Sequence, residues 1–523
     1  MIDFDQIKCV ADITRHQAKV IPDAIAQVFE GKETSFATLH AQSNQVAQGL
    51  IADGCQPGAR IGFLGKGSDR YFQMLHGAFK AGSVVVGINW RLASPEVTYV
   101  LNDSQTEIIF VGAEFYELVE TVLADSPSVR KVIALDGGHA SWESFDEWRD
   151  KFPAEDPQLP QSGDDDVIQL YTSGTTGHPK GVQLTNDNYL SVFHQGAAAG
   201  WADWERGDVN LVCMPLFHVA GVNIGLIGNA QGCKNVILKD VDPSVILSLI
   251  QDYRINIAFM VPAVILMMLQ APTIETADLS SLKQVIYGAS PIAEDVLRRA
   301  QDRFGCDFIQ VYGLTETTGA GTYLPPEAHD PARGKLRSCG LPNPGMEVAI
   351  IGDDGQPVAQ GAVGEIMIRG GAIMKAYWNR ADATAEAIDA DGWFKTGDAG
   401  YLDEEGYVYI HDRVKDMIVS GGENIYPAEV ENALFGHPSV ADAAVIGVPD
   451  DRWGEAVKAI IVRKPGEAAD AGAIIQWAKT QIAGYKVPKS IDFIDALPRN
   501  PSGKILRREL REPYWAGRDR KVN

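Results

Sequence analysis

Two periodicities alternate along the first part of the chain. Apolar residues recur at helical spacing over 36–52 and again over 71–81, where Gly82 ends the pattern. Between these stretches stand short apolar runs, Arg60-Ile61-Gly62-Phe63-Leu64 and Val84-Val85-Val86-Gly87-Ile88. Helix and strand signals in alternation predict β-α-β units and a parallel, doubly wound sheet. Residues 126–166 are variable in character, end in Gly163-Asp164-Asp165-Asp166 and read as a loop between two subdomains, closed by the strand that follows. Further apolar runs at 167–170, 210–214, 284–287 and 308–311 each lead into a turn of small, polar or proline residues. Open α/β sheets bind ligands at such strand ends. After Arg413-Val414-Lys415 the last 108 residues have a pattern of their own. A glycine turn at 420–427 leads into a helix over 428–434. Strands follow at 443–448 and 457–462, then a helix over 471–482 that Gly484 ends.

The chain of 523 residues exceeds one ordinary core, so at least two domains are expected. With 45% hydrophobic and 22% charged residues it has the balance of a soluble globular protein. A net charge of −23 argues against nucleic acid and against anionic membranes as partners. The six cysteines are scattered without a CxxC pair, which suits a reducing cytoplasm and offers neither a disulfide framework nor a zinc site. The start, Met1-Ile2-Asp3-Phe4-Asp5, is acidic and does not read as a signal peptide. The longest apolar run, 257–269, contains Pro262 and is too short to span a bilayer, so no integral membrane segment is expected.

The strongest chemical signal is Tyr171-Thr172-Ser173-Gly174-Thr175-Thr176-Gly177-His178-Pro179-Lys180-Gly181. Small residues let backbone N–H groups curl around an anion, and the hydroxyls add donors. A strand that feeds such a loop and ends on a lysine makes a phosphate cradle. It is not a Walker A loop, because proline precedes Lys180 and glycine follows it. Taken alone, the loop would also suit a solvated hairpin.

The stretch resembles the signature loop of the adenylate-forming superfamily, which includes acyl- and aryl-CoA synthetases, luciferases and peptide-synthetase adenylation domains. Further matching segments reach from about Asp23 to Arg508. The resemblance implies a large N-terminal domain (1–412) with doubly wound sheets and a β-barrel-like subdomain. A hinge at 413–415 and a small, mobile α+β C-terminal lid domain (416–523) would follow.

The resemblance also implies roles. Thr172, Ser173, Gly174 and Thr176 would cradle phosphate, with Thr175 and Lys180 acting in catalysis. His218, in the run Met214-Pro215-Leu216-Phe217-His218, would stand where the acid's carboxylate arrives; such a histidine is otherwise ordinary core. The strand end Gly288-Ala289-Ser290 would hold adenine. In Tyr312-Gly313-Leu314-Thr315-Glu316, Tyr312 would stack on that ring beside Gly313. Thr315 would touch phosphate and Glu316 would hold Mg2+, a hard cation that commonly takes one carboxylate plus phosphate oxygens. Asp398 and Arg413 would take the ribose. Coenzyme A would meet Arg91, Gly421, Gly422, Trp453, Tyr485 and Lys489, although Arg91 also suits a surface position and Trp453 plain packing. Lys504, in Pro498-Arg499-Asn500-Pro501-Ser502-Gly503-Lys504, matches the catalytic lysine loop. The chain departs from many relatives at Lys395, where arginine is common, and at Lys415, where aspartate is.

The expected function is ATP-dependent ligation of a small apolar carboxylic acid, fatty or aromatic, to coenzyme A, with AMP and pyrophosphate released. Transfer of the acyl group to a carrier protein is the alternative. The residues leave a homodimer open. The small residues over 194–200 would, on a helix, either pack tightly on a neighbour or leave room for a ligand. The resemblance places the acyl chain near them, and position 311 and the turn 318–321 are expected to line it.

Overall fold

The computed structural model describes residues 2–172, 179–352, 354–413, 416–420, 423–450, 453–466, 470–499 and 505–516. The expected α/β alternation forms two large sheets. The first has eight strands. Arg60–Leu64, Val84–Gly87, Ile108–Val111, Lys131–Ala134, Glu143–Ser144 and Asp166–Thr172 run parallel. Lys180–Thr185 and Ala376–Tyr377 close one edge antiparallel. The second has nine strands, with Val209–Val212, Lys234–Ile237, Ile257–Met260, Gln284–Gly288 and Asp307–Tyr312 parallel at its heart. The hairpin Ile25–Phe29/Lys32–Ser35 completes one edge of this second sheet, with Gln27 opposite Asn235.

Strands buried on both faces read as unbroken apolar runs, and Arg60–Leu64, Val84–Gly87 and Ile108–Val111 are buried throughout. Several helices start at a hydroxyl that caps them. Ser35, Ser68 and Thr185 each accept from a backbone N–H of the following turn. A third sheet has four antiparallel strands, Met346–Ile351, Gly364–Gly370, Phe394–Leu402 and Val408–Arg413. A fourth sheet of five strands lies in the C-terminal part. The hydrophobic clusters of that part, built around Ile418, Val445, Val457 and Ala444, share no residue with those before residue 411.

One expectation fails. The stretch 126–166 is not simply a loop. It contains the strand Lys131–Ala134 and the helix Phe145–Arg149, whose Trp148 is fully buried. The Trp148 ring packs where Gly49 leaves room, and its indole N–H donates to Asp53 Oδ2 at 2.8 Å. Elements of four and five residues are too short to establish a period, so packing rather than pattern defines them. No described helix is long and apolar enough to cross a membrane.

Candidate active site

Thr172 and Lys180 stand opposite each other in antiparallel register, so the glycine-rich loop leaves and returns at one point. Ser173, Gly174, Thr175 and Thr176 lie outside the described residues. Both ends of the loop are braced by side chains that motif reading did not single out. The Tyr171 hydroxyl donates to Asp103 Oδ2 at 2.8 Å, and the Tyr99 hydroxyl donates to the Pro179 carbonyl at 3.0 Å. Arg380 pairs with Asp103 Oδ1. Burial, then the neighbouring Asp103 carboxylate, push the Tyr171 phenol up, so it stays a donor.

Behind the loop lies Tyr377. Its short strand pairs with Lys180–Thr185, and Trp378 N–H donates to the Gly181 carbonyl at 2.7 Å. The Tyr377 hydroxyl donates to Glu316 Oε1 at 2.9 Å, and Thr172 Oγ1 reaches the same oxygen at 3.2 Å. Lys180 Nζ sits 4.7 Å from the Tyr377 ring centroid. Tyr377 thus ties the base of the loop to the buried Glu316. Its hydroxyl is kept protonated by burial and by the Glu316 charge. Among the described residues no group of three or more His, Cys, Asp or Glu could hold a metal. A single carboxylate beside a phosphate loop fits a hard cation whose other ligands are phosphate and water oxygens.

The adenine-side residues cluster at the carboxyl ends of neighbouring strands. Gly288 is there for close approach, since a Cβ would lie 2.1 Å from the Val311 carbonyl oxygen. Ala289, next to it, holds φ +68°, an uncommon conformation for a residue with a side chain and one that gathers at ligand sites. Gly313 packs against Gly319, 2.4 Å from where its own Cβ would stand. Thr315 and Glu316 lie on the single turn Thr315–Thr317. The Tyr312 hydroxyl donates to Asp398 Oδ2 at 2.7 Å, which joins the second sheet to the third. Arg413 is opposite Asp398 in backbone register, while its side chain lies outside the described residues.

Most of these groups border one cavity of about 2180 Å³, although Gly288 is not in its wall. Thr172, Lys180, Ala289, Ser290, Tyr312, Gly313, Thr315, Glu316 and Asp398 line its polar end. His218, N-cap of the helix Val219–Gln231, stands where that end meets an apolar arm. Val311, Gly319 and Ala320 line the cavity as the sequence led us to expect. Gly196, expected either to pack or to leave room, packs: a Cβ there would lie 2.6 Å from Ala202 Cβ. On the outer rim are C-terminal residues, including Glu431 and Arg507, paired at 2.8 Å.

Of the residues expected around coenzyme A, the described ones, Arg91, Trp453, Tyr485 and Lys489, do not line this cavity. Arg91 is exposed, with its guanidinium 4.3 Å from the Trp90 ring centroid. Trp453 and Tyr485 are 41% and 46% exposed, and Lys489 is exposed too, all in the C-terminal part. Gly421, Gly422, Lys415 and Lys504 lie outside the described residues.

Comparison with known proteins matches this arrangement. Residues 14–378 fit the model of the AMP-binding enzyme family, and residues 429–504 fit that of the AMP-binding enzyme C-terminal domain. A fatty acid–[acyl-carrier-protein] ligase of Streptomyces coeruleorubidus is 41% identical over 99% of both chains. A feruloyl-CoA synthase of Amycolatopsis sp is 38% identical over 95% of this chain and 97% of its own. A solved fatty acyl CoA synthetase of Mycobacterium tuberculosis superposes with a TM-score of 0.78 at 36% identity, covering 98% of this chain and 100% of that one. With both family models matched in order and the strand-end motifs gathered on one cavity, the chain belongs to the AMP-binding, adenylate-forming enzymes.

Proposed function

We propose that this protein is an AMP-forming acid–CoA ligase. The observation that carries the reading is a single cavity with two chemistries. A braced phosphate loop, Glu316 and the Tyr312–Asp398 pair lie at one end, an apolar arm lies at the other, and His218 stands at their junction. A carboxylate is a poor acyl donor because oxide leaves badly. Its oxygen attacks the α-phosphorus of ATP, the bond to the β-phosphate oxygen breaks, and pyrophosphate leaves with the electron pair. The negative charge that gathers on phosphate oxygens calls for cations and oriented N–H donors rather than a base.

Here Asp398, with Arg413, binds the ribose. Tyr312 and the Gly288-Ala289-Ser290 strand end hold adenine. Thr172, the loop through Thr176, Gly313 and Thr315 orient the phosphates, and Thr175 and Lys180 meet the charge that develops. Magnesium, when bound at Glu316, supplies further positive charge on the phosphate oxygens. Tyr377 keeps one Glu316 oxygen engaged and leaves the carboxylate's other oxygen for that role. Lys504 is the cation that completes the first half-reaction.

In the second half-reaction a thiol displaces AMP from the acyl carbon, which requires the Lys504 turn to withdraw. Rotation of residues 416–523 about 413–415 exchanges that turn for Gly421, Gly422, Trp453, Tyr485 and Lys489, with Arg91 meeting a coenzyme A phosphate. The separate hydrophobic cores on either side of the hinge support this movement. The cysteines, free and with five of the six buried, favour the reducing cytoplasm as the compartment.

The test replaces Lys504 with alanine and then supplies synthetic acyl-AMP. Adenylation should collapse while thioester formation survives, and equal loss of both steps would refute the division of labour. The carrier-protein ligase of S. coeruleorubidus supports a second reading, in which the acceptor is a phosphopantetheinyl carrier. Competition between coenzyme A and such a carrier separates the two.

A further inference from the structure

We propose that Trp201 is the floor of the acyl arm, and that the arm takes an unbranched apolar chain end-on with its terminal methyl against the indole. The inference rests on the ligase reading and names the substrate class of that same site. Five cavity-lining residues, Val219, Ala220, Asn223, Ile224 and Ile227, fall on one face of the helix Val219–Gln231. The arm therefore follows this helix inward from His218 for about 12 Å, eight residues at roughly 1.5 Å each. No charged side chain stands on that face. The one polar group on it, Asn223, donates its amide nitrogen to the Thr318 carbonyl at 2.7 Å, while its Oδ1 is buried without a hydrogen-bond partner among the described residues.

A second ruler gives the same depth. The nucleotide end is marked by Gly288, the last residue of the strand Gln284–Gly288. Trp201 lies at the other end, since its carbonyl accepts from the side chain of Gln284 at 3.0 Å. Four steps along a strand span about 13 Å. Trp201, beside the start of that strand and 4% exposed, still lines the cavity.

The indole is fixed on several sides. Its N–H donates to Asn343 Oδ1 at 2.9 Å. Its ring edge packs on Gly196, where a Cβ would lie 3.0 Å from Cη2. The backbone carbonyl of Trp201 also accepts from the Trp204 indole at 3.0 Å. A wall held this way does not swing aside for a longer chain. A short aromatic acid would leave the far turn of the helix without partner atoms, and such voids forfeit dispersion contacts.

The experiment measures kcat/KM by pyrophosphate release for saturated unbranched acids of increasing length, and for benzoate and cinnamate. Wild type is compared with Trp201→Ala and Ile227→Phe. Wild type should prefer an unbranched acid. Trp201→Ala should move the optimum to longer chains and raise the long-to-optimal ratio by tenfold or more. Ile227→Phe should move the optimum to shorter ones. Trp201→Leu, which keeps an apolar plug against Gly196, gives the same reading if the alanine variant does not fold. A folded Trp201 variant with the wild-type length order overturns the floor, and an aromatic acid preferred over every unbranched one overturns the occupant. Either result leaves the ligase reading standing. Pyrophosphate release with no acid at all would end the ligase reading, and this inference with it.

Discussion

At the polar end of the cavity, Thr172 and Tyr377 are joined to Glu316, and Tyr312 to Asp398, by hydrogen bonds of 2.7 to 3.2 Å. At the apolar end, Val219, Ala220, Ile224 and Ile227 meet the ligand space through carbon surface alone. The two ends respond differently to change. A buried polar network is unforgiving, because removing one member strands the others. An apolar wall can be resized for the cost of the altered contacts. The nucleotide end is thus built to be fixed and the acyl end to vary, in keeping with relatives that take ferulate and fatty acids.

The comparison can be broken by mutations that cross the divide. Glu316→Gln should have the largest effect. It removes a charge from the transition-state surroundings and should lower kcat by about a hundredfold or more in single-turnover adenylation. The order of preferred acids should not move. Asp398→Ala comes next. It leaves the buried Tyr312 hydroxyl without this partner, a penalty of about 1–3 kcal/mol. The KM for ATP should rise some tens-fold while the KM for the acid holds.

Tyr377→Phe deletes one hydrogen bond to Glu316, worth about 1 kcal/mol. Steady-state kinetics should show kcat reduced about fivefold, with the magnesium dependence shifted and the acid KM unchanged. Ile224→Ala belongs to the other end. It should change kcat/KM for the best acid by about tenfold and leave the KM for ATP alone. If Ile224→Ala altered ATP binding, or Tyr377→Phe altered the order of acids, the two ends would not be independent.

The smallest effect concerns stability beneath the adenine strand. His329 takes the Tyr287 hydroxyl on Nε2 at 3.1 Å and gives Nδ1–H to the Pro325 carbonyl at 2.9 Å. Burial lowers its pKa to about 4, and burial together with Lys80 does the same for His40. The folded values lie below the ordinary value of 6.5, so the unfolded chain takes these protons first. The stability is fully present above pH 6.5 and is lost as pH falls toward 4. Thermal melts across that window should show a declining midpoint, less steep in His329→Gln.

Much of this was legible in the chain itself. Buried parallel strands announce themselves as apolar runs, and their turns carry the groups that ended up on the cavity. What could not be read was whatever depends on residues far apart in sequence. Tyr377 sits 61 residues from Glu316 and Asp103 sits 277 from Arg380, with no spacing rule to connect them. The 126–166 stretch was misread because its elements are short and its Trp148 is placed by contact with Gly49 and Asp53. Trp201 looked like one more aromatic after a run of small residues. Only the fold places it on the cavity wall.

The edge hairpin of the second sheet has a consequence for how the molecule is made. Ile25–Phe29 finds its parallel neighbour only in Lys234–Ile237, about two hundred residues later. At roughly 5–20 residues per second, a ribosome leaves that strand unmatched for about 10–40 s. Throughout this interval the nascent chain exposes an open ladder of amide and carbonyl groups, the kind of edge on which chains pair wrongly. Synthesis halted before residue 237 would release a protein whose first sheet can be nearly finished while its second has not yet found its border.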